Sequence, residues 1–380
     1  MGQFICERCG NKDERWVGYI HGKPYCRLCI KFKGETAKEH NVSTPNSILD
    51  VSYFLTKDQA RVSKKVLENY QNGIDTLINA VCGAGKTELV YDVILYALKH
   101  NQTVAFAIPR KDVVIELKER LKDAFSRNTV VAVYGQHNDI LEGDIVVLTT
   151  HQLYRYENYF DLIVLDEIDA FPFKGNDLLN IFFKKALRGH YVLMSATPDE
   201  KTLNYFKQKG RDLVELNTRF HGHKIPVPKL IISKNPIKFH ILVKTLRDYL
   251  NKNFPVLVFA PTIKEAEKLY SLLKHLFPGG ECVHSLKNKR EEIISLFKKR
   301  RYSYLVTTAV LERGVTIKNL QVIIYNADSN IYDEYSLVQI AGRVGRKYDA
   351  PDGEVVFIGE TKTIAMERAA QSIRHKNTYL

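Results

Sequence analysis

The stretch Ala80-Val81-Cys82-Gly83-Ala84-Gly85-Lys86-Thr87 follows an apolar run, Thr76 to Asn79, and leads into an amphipathic segment, Glu88 to His100. Strand, small-residue loop and helix in that order form a phosphate cradle, because loop N–H groups and the helix N-terminus converge on one anion. Lys86 is expected to reach the β/γ oxygens and Thr87 to hold Mg²⁺, with Gly83, Ala84, Gly85 and Glu88 completing the nucleotide site. Ala80 replaces the first glycine of the usual pattern. Gly83 and Gly85 still supply the tight turn. A glycine-bearing loop after any buried strand offers the bland alternative, but G-K-T opening a helix favours phosphate.

A chain of 380 residues is too long for one ordinary core. We expect three parts: a small module with its linker at 1–45, and domains at 46–225 and 226–380. Lysine and arginine outnumber the acids 56 to 43, which leaves +13 and suits a polyanionic partner, nucleic acid first and an acidic membrane surface second. A merely basic soluble protein would show the same balance. Cysteines and charges fill the first thirty residues, unlike a signal peptide, and no apolar run has the length of a bilayer span. The expectation is a cytoplasmic protein with reduced thiols.

Cys6-x2-Cys9 and Cys26-x2-Cys29 have the spacing of a four-thiolate zinc site built from two knuckles. Redox or core cysteines are the competing reading. Trp16, Tyr19 and Tyr25 between the knuckles are expected to form the core of so small a module rather than to stack on bases. Residues 31–50 lack periodicity and read as a linker. Thr56 then caps a helix containing Gln59, whose amide offers both donor and acceptor to an adenine edge.

Apolar runs recur at Thr103 to Ile108, Val130 to Tyr134, Asp144 to Thr149, Leu162 to Asp166 and Tyr191 to Ser195, with amphipathic stretches such as Lys111 to Phe125 between several of them. This alternation predicts an α/β fold with a doubly wound parallel sheet. Asp166-Glu167-Ile168-Asp169 closes a buried strand, at the sheet edge where ligands bind in such folds. Asp166 is assigned to Mg²⁺ and Glu167 to the attacking water. N-cap acids of a following helix are the alternative.

A second αβ series begins after Pro226 and Pro228. Its strands are expected at Val256 to Ala260, Tyr304 to Thr308, Val322 to Asn326 and Glu354 to Ile358, with helices at Ile263 to Leu276 and Glu291 to Lys299. The run Gln339 to Lys347 contains Arg343 and Arg346, two guanidiniums three residues apart, able to neutralise charge on a transferring phosphoryl group. A solvated basic helix end is the alternative.

Taken in order, the phosphate loop, Asp166 to Asp169, Ser195-Ala196-Thr197 and Gln339 to Arg346 resemble the motifs of superfamily-two helicases, which have two tandem RecA-like lobes. The finer resemblance is to the ComFA family, DNA-uptake ATPases of naturally transformable Gram-positive bacteria. It rests on the four-cysteine module, Thr149 to Leu153, Asp166 to Phe173, Arg219 to Gly222, Leu311 to Thr316 and Gly342 to Arg346, and it covers nearly the whole chain. Relatives usually carry a longer N-terminal segment.

The resemblance implies a single-stranded-DNA-stimulated ATPase using ATP, Mg²⁺ and Zn²⁺, at work beside ComFC and the membrane DNA channel. A peripheral place at the inner membrane face, and a homo-oligomer, are compatible with it. By position, Gln59 is implied as the adenine reader, Gln339 as the second-lobe sensor, and Arg343 and Arg346 as arginine fingers. Ser195 and Thr197 are implied to couple hydrolysis to lobe closure. Pro109, Arg110, Thr150, Thr262 and Thr308 are implied to touch the nucleic-acid backbone. Rival expectations are a replication-restart or RNA helicase, and, from another class, a zinc-based nucleic-acid adaptor with an ATP switch. A phosphotransfer kinase leaves the paired arginines unexplained.

Overall fold

A computed structural model describes residues 4–42, 46–135, 137, 139–169, 173, 175–309 and 317–379. Those residues form two compact units, one of residues 1–80 and 85–216 and the other of residues 81–84 and 217–380. Each has its own parallel sheet, the architecture expected of tandem RecA-like lobes.

The first unit opens with a hairpin of β1 (Val17–Ile20) and β2 (Lys23–Cys26), paired antiparallel. Helix α1 (Lys57–Gln71) starts where Thr56 and Gln59 form a capping box, each satisfying the other's backbone N–H. Then follow β3 (Asp75–Ala80), α2 (Tyr91–Lys99), β4 (Val104–Ile108), α3 (Lys111–Ala124), β5 (Val130–Val133), β6 (Ile145–Thr149), β7 (Phe160–Asp166), α4 (Asp177–Ala186), β8 (Leu187–Ser195), α5 (Glu200–Phe206) and β9 (Arg211–Leu216). Seven strands lie in the order β5-β6-β4-β7-β8-β3-β9. β4 and β6 are buried along their whole length, as apolar strands covered on both faces must be. The helix after the phosphate loop begins at Tyr91, because Glu88–Val90 is a 3₁₀ turn.

The second unit runs β10 (Lys229–Ile232), α6 (Ile237–Asn251), β11 (Val256–Phe259), α7 (Ile263–Leu276), β12 (Gly280–Val283), α8 (Arg290–Lys298), β13 (Tyr304–Thr307), β14 (Gln321–Tyr325), α9 (Glu334–Ala341), β15 (Val355–Gly359) and α10 (Ile364–Lys376). Its six strands are ordered β10-β15-β14-β11-β13-β12. Leu311 to Thr316, and Ala170 to Pro172 of the acidic extension, lie outside the described residues. Among the described residues no helix is long and apolar enough to cross a membrane.

Two expectations about the N-terminus need correction. Residues 31–42 are irregular but are not a loose linker, because their polar groups bond to the first sheet's loops. The Ala37 amide donates to the Arg155 carbonyl at 2.9 Å, and Arg155 Nη1 returns a bond to the Glu35 carbonyl at 2.6 Å. Tyr154 Oη donates to the Lys33 carbonyl at 2.6 Å, and His40 Nε2 meets Asp144 Oδ1 at 3.0 Å. Phe32 packs on His151, Tyr154 and Phe182. The module thus shares the apolar core of the first unit. Trp16 and Tyr19, expected in that core, are 44% and 70% exposed.

Candidate functional site

In a parallel sheet all strands end on one edge, so residues far apart in sequence become neighbours there. β7, β8 and β3 lie side by side, with Asp166 beside Met194 and Asn79 beside Ser195 in register. The phosphate loop, the acidic run and Ser195-Ala196-Thr197 therefore leave the sheet at adjacent points.

Gly83 and Gly85 have φ of +83° and +76°, the left-handed region. At Gly85 a Cβ would also stand 2.6 Å from Gln59 Nε2 and 3.3 Å from Glu88 Oε2. The positive φ favours glycine there, and the Gln59 side chain lies against the loop. Its Oε1, however, accepts from the Thr56 amide at 2.9 Å in the capping box. That bond fixes the amide's orientation and leaves the second lone pair of Oε1 for another donor. Glu88 is ion-paired with Arg120.

Lys86 Nζ lies 3.6 Å from Asp166 Oδ1. Burial pushes the Asp166 carboxyl above its ordinary range, and the Lys86 cation opposes that shift. Glu167 sits at φ +59°, an uncommon conformation for a non-glycine residue, and its amide donates to Asp166 Oδ1 at 2.8 Å. Thr197 Oγ1 donates to Asp169 Oδ2 at 2.6 Å, while the Thr197 amide donates to the buried Ser195 Oγ at 3.0 Å. The turn after β8 is thereby bonded to the acidic run after β7. Oxygen donors at Thr87 and Asp166 are the hard ligands that Mg²⁺ takes.

Within the second unit, Arg219 is 2% exposed and its donors go to main-chain carbonyls. Nη1 donates to Val344 at 3.0 Å and Gly345 at 2.8 Å, Nη2 to Gly342 at 3.4 Å, and Nε to Cys82 at 3.2 Å. Burial pulls this guanidinium down to about 10, still a cation at neutral pH. His221 Nε2 donates to the Gly345 carbonyl at 2.9 Å. Arg219 and His221 thus hold the turn that carries Arg343 and Arg346. Arg343 is 1% exposed, and Arg346 Nε bonds the Gly342 carbonyl at 2.9 Å. Gln339 Oε1 accepts from Cys82 Sγ at 3.1 Å. The Arg219-Phe220-His221-Gly222 run carries the family resemblance, but its spacing alone assigns no role to Arg219 or His221.

Of the residues expected on the nucleic-acid backbone, Pro109-Arg110 and Thr150 leave the first sheet at adjacent points, since Ile108 and Thr149 are in register. Within the second unit Thr262 and Thr308 follow the neighbouring strands β11 and β13, whose Phe259 and Thr307 are in register. Pro109 and Thr150 are buried, and among the described residues Thr150 Oγ1 has no hydrogen-bond partner. Arg110 is paired with Asp112 at 2.7 Å. Thr262 caps α7 through Glu265, and Thr308 is 9% exposed.

Cys6, Cys9, Cys26 and Cys29 place their sulfurs within 4.8 Å of one another, all buried. Cys6 and Cys29 are 3.5 Å apart, and Cys9 and Cys26 3.6 Å. Tetrahedral zinc with Zn–S near 2.3 Å needs sulfurs roughly 3.8 Å apart, so this soft donor set fits the ion. Burial pushes the Cys9 thiol up to about 11, the cost that a bound cation would offset.

Residues 52–200 match the family described as type III restriction enzyme, res subunit, and residues 238–348 match the helicase conserved C-terminal domain. The chain is 32% identical over 398 residues to the competence protein ComFA of Bacillus subtilis, covering 99% of this chain and 86% of that one. It is 31% identical over 394 residues to the competence protein ComFA of Streptococcus pneumoniae, with coverages of 99% and 91%. In structure it is similar to S. cerevisiae Dbp5 bound to RNA and ADP BeF3, with a TM-score of 0.63 at 18% identity, covering 86% of this chain and 92% of that one. That last likeness speaks to the fold alone.

Proposed function

This chain belongs to the ComFA family of competence proteins, and from that premise we propose a motor, stimulated by single-stranded DNA, that draws the incoming strand into the cell during transformation. It is an ATP-dependent helicase or translocase, and so an ATP hydrolase. The observation that carries the catalytic reading is the Lys86–Asp166 pair at the sheet edge, a cation and a carboxylate side by side where the phosphate loop and the acidic run meet.

In this reading Lys86 exchanges Asp166 for the β/γ-phosphates, and Thr87 and Asp166 hold Mg²⁺. The metal supplies charge neutralisation on the phosphates. Glu167 orients the attacking water. Arg343 and Arg346 supply the second set of cations, with Arg346 directed to the γ-phosphate. Thr197 passes the state of the acidic run to the rest of the lobe through Asp169. Gln59 and Gln339 serve as nucleotide sensors. Zn²⁺ is held by Cys6, Cys9, Cys26 and Cys29. The proposed division is a module at 1–45 and lobes at 46–225 and 226–380, with ComFC and the membrane channel as partners at the inner membrane face.

The experiment is ATP hydrolysis titrated with single-stranded DNA at two salt concentrations, beside forked duplex and RNA. We expect the largest stimulation from single-stranded DNA, weakening steeply with salt. Preference for RNA or a fork would favour the restart or RNA helicase instead. An adaptor with an ATP switch would fail to displace streptavidin from a biotinylated strand end.

A further inference from the structure

Side chains on a β-hairpin alternate between faces, and cross-strand partners share one. Gly18 pairs with Tyr25 and Ile20 with Lys23, while the Arg27 amide extends the ladder by donating to the Trp16 carbonyl at 2.7 Å. One face of the zinc hairpin therefore carries Tyr25, Ile20 and Lys23, and at its end Trp16, the last residue of the 3₁₀ turn Glu14–Trp16 that leads into β1, stands opposite Arg27. A Cβ on Gly18 would fall 2.5 Å from the Tyr25 ring, so the ring lies across the glycine and flattens the face. Trp16 is 44% and Ile20 55% exposed, and Lys23 and Arg27 are exposed with no ion pair among the described residues. Ile20 and Tyr25 also border a cleft of about 830 Å³ shared with the first sheet's loops, lined in addition by Arg8, Lys33, Glu7 and the ion pair Lys185–Glu157 at 3.3 Å.

One exposed ring, Trp16, and one half-buried ring, Tyr25, beside unneutralised cations offer what an unpaired nucleic-acid strand requires: faces for bases to stack on and charge for its phosphates. Over residues 4–34 lysine and arginine outnumber acids seven to three, so the balance stays positive even with four thiolates around a divalent ion. We propose that this hairpin face, continuing into the cleft, binds single-stranded nucleic acid by stacking on Trp16 and Tyr25 and by charge at Lys23 and Arg27. The proposal rests on the strand-stimulated motor above and adds to it a grip outside the residues assigned to ATP.

Trp16 is the chain's single tryptophan, so its emission reports this face alone. Titrating the zinc-loaded full chain with a fluorescein-labelled oligo(dT) gives two readouts, anisotropy for binding anywhere and tryptophan emission for binding here. We expect Trp16 quenching that follows the anisotropy isotherm and fades with salt. The double reversal Lys23→Glu/Arg27→Glu and the separate Trp16→Ala should each weaken binding roughly 5- to 100-fold at unchanged zinc content, the range expected for lost base stacking. Tyr19→Ala, on the opposite face, should leave affinity unchanged. Anisotropy that rises without quenching, or that ignores the reversals, overturns the hairpin site while leaving the motor standing and the face to a protein partner. No anisotropy change at any salt overturns both.

Discussion

Thr197 Oγ1 donates to Asp169 Oδ2 at 2.6 Å, joining two sequence motifs that lie 28 residues apart. Hydrogen bonds to a charged acceptor contribute about 1.5–3 kcal/mol. If this bond transmits nucleotide state, Thr197→Val should lower strand-stimulated ATP turnover by about tenfold or more while leaving basal turnover within about threefold. Steady-state kinetics with and without oligonucleotide separate the two, and equal loss of both rates would refute a coupling role.

Lys86→Ala removes the cation facing Asp166 and, with it, the proposed phosphate ligand. Turnover should fall by at least about a hundredfold, the scale of losing a charge donor in a transition state. Oligonucleotide binding should persist, and circular dichroism should be unchanged. ATP hydrolysis at the wild-type rate would rule out the cradle.

His221 gives a pH prediction. Its Nε2–H donates to Gly345 and its Nδ1 accepts from the His223 amide at 3.1 Å, so the neutral ring is the form that fits. Burial, with Arg219 nearby, holds its folded pKa below the ordinary value. The unfolded chain then takes up the proton first, near pH 6.5. This contribution to stability is whole above that pH and is lost as pH falls through the lower folded value. Melting temperature should drop between pH 7.5 and pH 5.5, a range set around the unfolded pKa of about 6.5, and His221→Gln should flatten the drop. An identical profile in the variant would show that other groups govern it.

Chelation or Cys26→Ser should release the metal and unfasten the module, since the cysteines belong to the same apolar cluster as Phe182 and Phe183. Structural zinc contributes on the order of 10 kcal/mol to small modules, so limited proteolysis should attack the first forty residues within minutes, while the second unit resists. Metal content held at about one zinc per chain in the serine variant would sink the four-thiolate assignment.

What the sequence made legible follows from burial. β4, β6 and β7 are covered on both faces and appear as continuous apolar runs. β9, β10 and β12 went unread, and each is an edge strand, half wetted and mixed in composition. The contiguous motifs at Lys86, Asp166 and the four cysteines were readable because their spacing is the signal. The bond from Thr197 to Asp169, the approach of Gln59 to Gly85 and the carbonyl bonds of Arg219 join residues distant in sequence, which spacing does not encode. Irregular backbone at residues 31–42 looked like slack chain because its hydrogen bonds go to other segments rather than to itself.

That fastening has a mechanical result. With Phe32 wedged among His151, Tyr154 and Phe182, and main-chain bonds at Lys33, Glu35 and Ala37, the hairpin is an outrigger bolted to the first lobe rather than a hook on a rope. A strand gripped by the proposed hairpin site would share every displacement of that lobe, with no travel spent in drawing a tether taut.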